Sequence, residues 1–87
     1  MSDESPLQFP CSFPVKAMGR AGSDFEGQVV AIVRRHAPDL GEGAVRTRAS
    51  RAGSYLSVTV NVRARSREQL DAIYRDLTAC EEVLMAL

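Results

Sequence analysis

Apolar and polar residues alternate along SYLSVTVNVRA, residues 54–64, and the four residues SREQ that follow at 66–69 have the spacing of a capped helix start. The alternation predicts a β-strand that feeds a helix. The apolar face of this strand consists of Leu56, Val58, Val60 and Val62. The polar face consists of Ser57, Thr59, Asn61 and Arg63. We therefore expect a sheet with one buried face and one face that meets solvent or a partner.

On either side of this strand, the periodicity of apolar residues and the positions of turn residues predict five further elements. They are strands at 11–18, 44–50 and 83–87 and helices at 24–37 and 66–78. Gly19 and Gly22 are expected to end the first strand, and a capping box of Ser23 and Glu26 is expected to start the first helix. Residues 1–8 are expected to be a disordered acidic lead-in, and residues 9–87 a single domain.

The element order, strand-helix-strand-strand-helix-strand, is typical of the ferredoxin-like α+β sandwich. It predicts a four-stranded antiparallel-type sheet of order 4-1-3-2 with both helices on one face. Right-handed crossovers are expected to place the first and third strands side by side and parallel in the centre. The predicted open face carries Lys16, Arg46, Arg48, Ser57, Thr59, Asn61 and Arg63, with Leu84 on the edge strand.

Eleven basic and eleven acidic residues cancel, although the basic ones are concentrated in the middle of the chain. A net charge of zero argues against a dedicated nucleic-acid binder, which needs a strong positive field. Of the aromatic residues, only Tyr55 is placed to stack a base on the open face. With 45% hydrophobic residues, the chain can form one core but no deep substrate cavity in addition.

No catalytic group, cofactor motif or metal spacing is predicted, and we therefore expect a binding protein rather than an enzyme. Cys11 and Cys80 lie far apart without a CxxC motif, and they are expected to remain free thiols. His36 is the only histidine, and in the last turn of a helix it is expected to interact with the terminal carbonyls. The acidic N-terminus and the absence of a long apolar run predict a cytoplasmic protein without a membrane span.

Two surfaces are candidate binding sites. The first is the connection before the first helix, with Gly19, Arg20, Gly22 and Ser23, where free amides and the helix dipole favour an anion. The alternative is a basic patch on the open face that would bind an anion or nucleic acid. This patch consists of Lys16, Arg46, Arg48, Arg51 and Arg63. The expected partner is a protein or a second copy that forms a homodimer, or a small metabolite; nucleic acid is less favoured, and no membrane contact is expected.

Several short motifs, taken in order, resemble the YbeD family of small bacterial proteins over residues 9–87. They are Phe9-Pro10, Phe13 with Lys16-Ala17-Met18-Gly19, Arg35-His36-Ala37-Pro38, Gly53-Ser54-Tyr55-Leu56-Ser57-Val58, Tyr74 with Leu77, and the ending from Val83 to Leu87. The chain departs from the family pattern at Ala52 and Leu84, where a basic residue is common. The resemblance implies a fold similar to the ACT-type regulatory domains of amino-acid enzymes. It also implies a regulatory or adaptor role linked to lipoate metabolism, with no assigned activity.

Overall fold

The computed structural model describes residues 7–22 and 24–87 of the chain. Its elements are β1 (Cys11–Arg20), α1 (Phe25–His36), β2 (Val45–Ala49), β3 (Tyr55–Ala64), α2 (Arg67–Ala79) and β4 (Val83–Ala86). A 3-10 turn at Glu42–Ala44 leads into β2. The order confirms the ferredoxin-like α+β fold. The predicted lead-in at residues 1–8 lies mostly outside the described residues, although its Leu7 packs against the core.

The sheet has the strand order β2-β3-β1-β4, as predicted, and every neighbouring pair is antiparallel. The expectation that β1 and β3 run parallel is therefore wrong. The crossover through α1 returns β2 in the direction of β1, two positions away in the sheet. The short connection from β2 then reverses the chain, so that β3, inserted between them, runs opposite to both.

Strand β1 is two residues longer than the sequence predicted, because its glycine belongs to the sheet. Gly19 pairs with Leu56, and Arg20 pairs with Tyr55. A Cβ atom at Gly19 would overlap the Phe25 ring and the Glu82 carbonyl, so glycine here lets α1 approach the sheet closely. The turn begins only after Arg20.

Both helix starts are capped by side chains. Asp24 caps α1, accepting a hydrogen bond from the Gly27 N–H at 3.2 Å, one residue later than the predicted cap at Ser23. Ser23 itself lies outside the described residues. The Glu26 carboxylate, expected to complete the capping box, instead accepts from the Thr47 hydroxyl at 2.8 Å. Helix α2 starts as predicted, with the Ser66 hydroxyl accepting from the Gln69 N–H at 3.1 Å.

One side of the sheet and the inner sides of both helices form the core. Its buried residues from β1 and β3 are Val15, Ala17, Val58, Val60, Val62 and Ala64. The helices contribute Phe25, Val29, Ile32, Val33, Leu70, Ile73 and Leu77. Because both helices cover the same side, no described helix lies on the opposite side of the sheet, which we call the open face. Neither described helix has the length and apolar character that a membrane crossing requires.

Both cysteines are free thiols, as predicted. Cys11 begins β1, whereas Cys80 precedes β4, whose Val83 pairs with Gly19 near the other end of β1. Eight residues of strand separate Cys11 from Gly19, which corresponds to about 26 Å. That separation far exceeds the reach of a disulfide.

Candidate functional site

The strand residues on the open face of the sheet include positive side chains and no negative one. Five of the eleven basic residues lie within the strands, and strand alternation places all of them on this face: Lys16, Arg20, Arg46, Arg48 and Arg63. None of the eleven acidic residues falls within the four described strands. The strands of a chain with no net charge are therefore positively charged, whereas α1 and α2 together have four basic and four acidic residues and balance.

Hydroxyl groups occupy the middle of the face, beside cations. Thr59 on β3 is paired with Lys16 on one side and Arg46 on the other. Ser57, two residues earlier, lies between Met18 and Arg48. Since neighbouring strands are about 4.8 Å apart, the backbones of Lys16 and Arg46 are about 10 Å apart across Thr59.

A concavity of about 370 Å³ follows this row of hydroxyls. It is lined by Pro14, Lys16, Arg46, Arg48, Ser57, Thr59 and Asn61. Within residues 7–22 and 24–87, its three cations form no ion pair; the ion pairs there join Arg35 and His36 to Asp76, and Arg65 to Asp39. The concavity thus offers ammonium, guanidinium and hydroxyl donors to an anion.

The predicted open-face residues lie where the sequence placed them, with one exception. Lys16, Arg46, Arg48 and Arg63 are exposed on the strands, and Leu84 on β4 is 56% exposed. Arg51 is the exception, because it lies in the exposed turn between β2 and β3 and not on the sheet. The basic patch is therefore formed by strand residues alone.

The other predicted site, around the glycines, is divided between a strand and a turn. Gly19 is buried in β1 and packed against Phe25, which leaves no space for a ligand at its Cα. Gly22 follows in the turn with φ 109°, and Ser23 lies outside the described residues. Arg20 lines a shallow concavity together with Glu81 and Glu82, whose carboxylates oppose an incoming anion. The electrostatics of the predicted glycine site therefore suit an anion less well than those of the concavity between Lys16, Arg46 and Arg48.

An apolar strip at the β4 side of the open face was only partly visible in the sequence. Met18 pairs with Met85, which is 52% exposed, and Leu87 exchanges two backbone hydrogen bonds with Lys16. This register depends on an irregularity between Met18 and Gly19. Alternation within β4 alone could not reveal it, because a bulge changes which residues share a face.

The helix side carries a charged cluster that the sequence did not predict. His36 Nε2 lies 2.7 Å from Asp76 Oδ2, and the Arg35 guanidinium lies 3.6 Å from the same oxygen. The expectation that His36 interacts with the helix-terminal carbonyls is thus wrong, because its ring reaches across to α2. The Gln69 side chain adds a second link, donating to the His36 carbonyl at 2.7 Å. We assign this cluster to the stability of the helix pair.

Asp76→Asn is expected to lower the melting temperature at neutral pH and to make it less sensitive to acid. The hydrogen bond from His36, assisted by the charges of His36 and Arg35, lowers the pKa of Asp76 from its ordinary value of 3.8. A carboxyl with a lowered folded-state pKa stabilises the fold above its ordinary pKa and loses that effect as the pH falls through the lowered value. Melting curves from about pH 6 to about pH 2 should therefore converge for the two proteins in acid.

Asp71→Asn is the matched control, because Asp71 is exposed on the same helix and has no partner among the described residues. It should leave the difference between neutral and acid melting temperatures unchanged. An Asp76→Asn protein that follows the unmodified protein at every pH would contradict the role assigned to the cluster.

Fold and face together define a class, that of small ferredoxin-like α+β domains with a basic open sheet face. The chain belongs to the family described as "Protein of unknown function (DUF493)", whose model matches residues 4–87. It is 41% identical over 87 residues to UPF0250 protein NE1487 of Nitrosomonas europaea, covering both chains completely. It is 45% identical over 85 residues to a UPF0250 protein of Paraburkholderia phytofirmans, covering 98% of this chain and 96% of the relative. These matches confirm the YbeD family resemblance.

Proposed function

We propose that the protein is a regulatory or adaptor module that binds an anionic ligand, or the acidic part of a partner, on its open sheet face. The observation that carries the proposal is the separation of charge. All five strand cations lie on this face, and every acidic residue lies outside the described strands. Lys16, Arg46 and Arg48 form no ion pair with a described residue, so their charges remain available to a partner.

The side chains of the concavity match the chemistry of oxyanions. The Arg46 and Arg48 guanidinium groups can each donate two parallel hydrogen bonds to a carboxylate or phosphate. Lys16 and the Thr59 hydroxyl add donors between them. Such a site recognises a flat or extended anion, because the face is a sheet and not a closed pocket.

A binding role fits this face better than catalysis does. The lining side chains donate hydrogen bonds, and among the described strand residues the face presents no histidine, thiol or carboxylate that could act as a general base. The similarity to ACT-type regulatory domains and the link to lipoate metabolism, both implied by the family resemblance, support a regulatory role in cytoplasmic metabolism.

Inorganic tripolyphosphate is the probe for the proposed function. We expect it to shift the amide resonances of Ser57 and Thr59 at low salt, and to bind more weakly as salt rises. Replacing both Arg46 and Arg48 by Gln should weaken binding about 2- to 30-fold, since each exposed charge pair contributes about 0.2–1 kcal/mol. The melting temperature should be unchanged because both side chains are exposed.

The matched control removes the same charge from the helix side, with Arg34→Gln and Arg75→Gln, and should bind as the unmodified protein does. Arg20→Glu tests the end of β1 beside Gly22, which lies outside the concavity. If Arg20→Glu alone abolished binding while the Arg46 and Arg48 double variant retained it, the site would be at that end of β1, and the proposed site at the concavity would be wrong.

A further inference from the structure

β2 is an edge strand with one unpaired row of backbone groups. The Ser50 N–H donates to the Tyr55 carbonyl at 2.8 Å, so the backbone of Ser50 faces β3. Peptide groups alternate in direction along an antiparallel strand, so Arg46 and Arg48 also face β3 with their backbones. The N–H and C=O groups of Val45, Thr47 and Ala49 therefore point away from the sheet. No strand in the described part of the chain pairs with them.

The side chains of this edge would meet those of an added strand on the basic face. Arg46 and Arg48 would occupy non-hydrogen-bonded positions opposite the added strand, where facing side chains come closest. Both are exposed. Acidic residues opposite them would form cross-strand ion pairs. Because Arg46 and Arg48 are two residues apart, the acidic residues must also stand at every second position.

An acidic residue of the added strand is disfavoured between the positions opposite Arg46 and Arg48. This intermediate position lies on the side of the sheet that carries the helices. Thr47 points toward α1, where its hydroxyl donates to the Glu26 carboxylate at 2.8 Å. An acidic residue opposite Thr47 would bring a second carboxylate toward Glu26, and like charges in facing positions are destabilising. A neutral β-former such as threonine suits this position.

The other edge of the sheet does not offer the same complementarity. β4 carries Leu84 and Met85, both more than half exposed, and it follows directly after Glu81 and Glu82. An acidic strand would meet apolar side chains and two carboxylates there. Charge therefore directs it to β2.

We infer that the partner contributes an extended peptide with acidic residues at alternating positions, which adds to the sheet as a fifth strand beside β2. This inference rests on the proposed function, and it specifies the partner of that same face. Backbone hydrogen bonds would supply affinity, and the pairing with Arg46 and Arg48 would supply register.

Two capped peptides of identical composition test the inference. One is Thr-Glu-Thr-Glu-Thr-Glu-Thr, and the other is Thr-Thr-Glu-Glu-Glu-Thr-Thr. We expect the alternating peptide to bind about tenfold tighter, because only it can place carboxylates opposite both arginines without one opposite Thr47. Its binding should slow hydrogen exchange at the amides of Val45, Thr47 and Ala49. The amides of Arg46 and Arg48 already face β3 and should change little.

Replacing Arg46 and Arg48 together by Gln should abolish the preference between the peptides, whereas the Arg34 and Arg75 control should keep it. Equal affinity for the two peptides, or unchanged exchange at the outer amides, would overturn the inference. If tripolyphosphate still bound the face in that case, the proposed function would stand and only the peptide inference would be wrong. If tripolyphosphate failed to bind as well, both the inference and the proposed function would be wrong.

Tighter binding of a single-stranded oligonucleotide, with shifts centred on Tyr55, would assign the face to nucleic acid and exclude the peptide.

Discussion

Val60→Asp is expected to unfold the domain. Val60 is completely buried in β3, and its neighbours across the two adjacent strands are Val15 and Val45. A carboxylate there would have neither water nor a cation nearby, and an unpaired buried charge destabilises a protein by about 3–5 kcal/mol. A domain of 87 residues lies near the lower end of the usual range of about 5–15 kcal/mol, so a loss of this size should remove most or all of its stability. Circular dichroism would show the loss of a cooperative thermal transition.

Thr59→Asp, one residue away, is the matched control and should remain folded. Thr59 lies on the open face between Lys16 and Arg46, which would both attract the new carboxylate. Its melting temperature should stay within about 4 °C of the unmodified protein, the shift produced by about 0.5 kcal/mol. Similar melting temperatures for the two aspartate variants would place the strand register off by one residue. Thr59→Asp should also weaken tripolyphosphate binding, because it adds a negative charge at the centre of the basic face.

Gly19→Ala is expected to lower the free energy of unfolding by about 1–3 kcal/mol, the usual cost of overpacking a core. The added methyl group would overlap the Phe25 ring and the Glu82 carbonyl. Phe25 is itself completely buried and cannot move away without disturbing its neighbours. For a domain of this size, the melting temperature should fall by about 5–20 °C.

Gly43→Ala provides the comparison, because a Cβ atom at Gly43 meets nothing within 4 Å. It should change the free energy of unfolding by less than about 0.5 kcal/mol. A Gly19→Ala protein as stable as Gly43→Ala would show that Gly19 is not required for close packing of α1 on the sheet. A ligand could then also approach the Cα atom of Gly19, as the predicted glycine site requires.

The fold and the basic face could be predicted because both depend on local periodicity. Alternation in β3 separates Val58 and Val60 from Ser57 and Thr59, and the structure has this same division. The same alternation places Arg46 and Arg48 on one side of β2. Once the strands are assigned, the alternation of side chains is enough to predict which charged residues share a face of the sheet.

The features that the sequence did not reveal depend on contacts between distant segments. His36 and Asp76 are separated by 40 residues, and only the packing of α1 on α2 brings them within 2.7 Å. The true length of β1 depends likewise on pairing of Gly19 with Leu56. Glycine within a short window is more typical of a turn, so local reasoning ended the strand too early. The relative direction of β1 and β3 required following the whole chain path through β2.

The long pairing between β1 and β3 has a consequence for how the domain assembles. Facing residues in this pair are far apart along the chain, with Arg20 opposite Tyr55 at one end and Cys11 opposite Ala64 at the other. β2 and β3 are joined by a short turn and can pair early, whereas β1 must close a long loop before it finds its place. Lys16 therefore joins Arg46 beside Thr59 only once β1 has paired with β3. An anion that needs both cations would distinguish the complete sheet from a chain in which only β2 and β3 are paired.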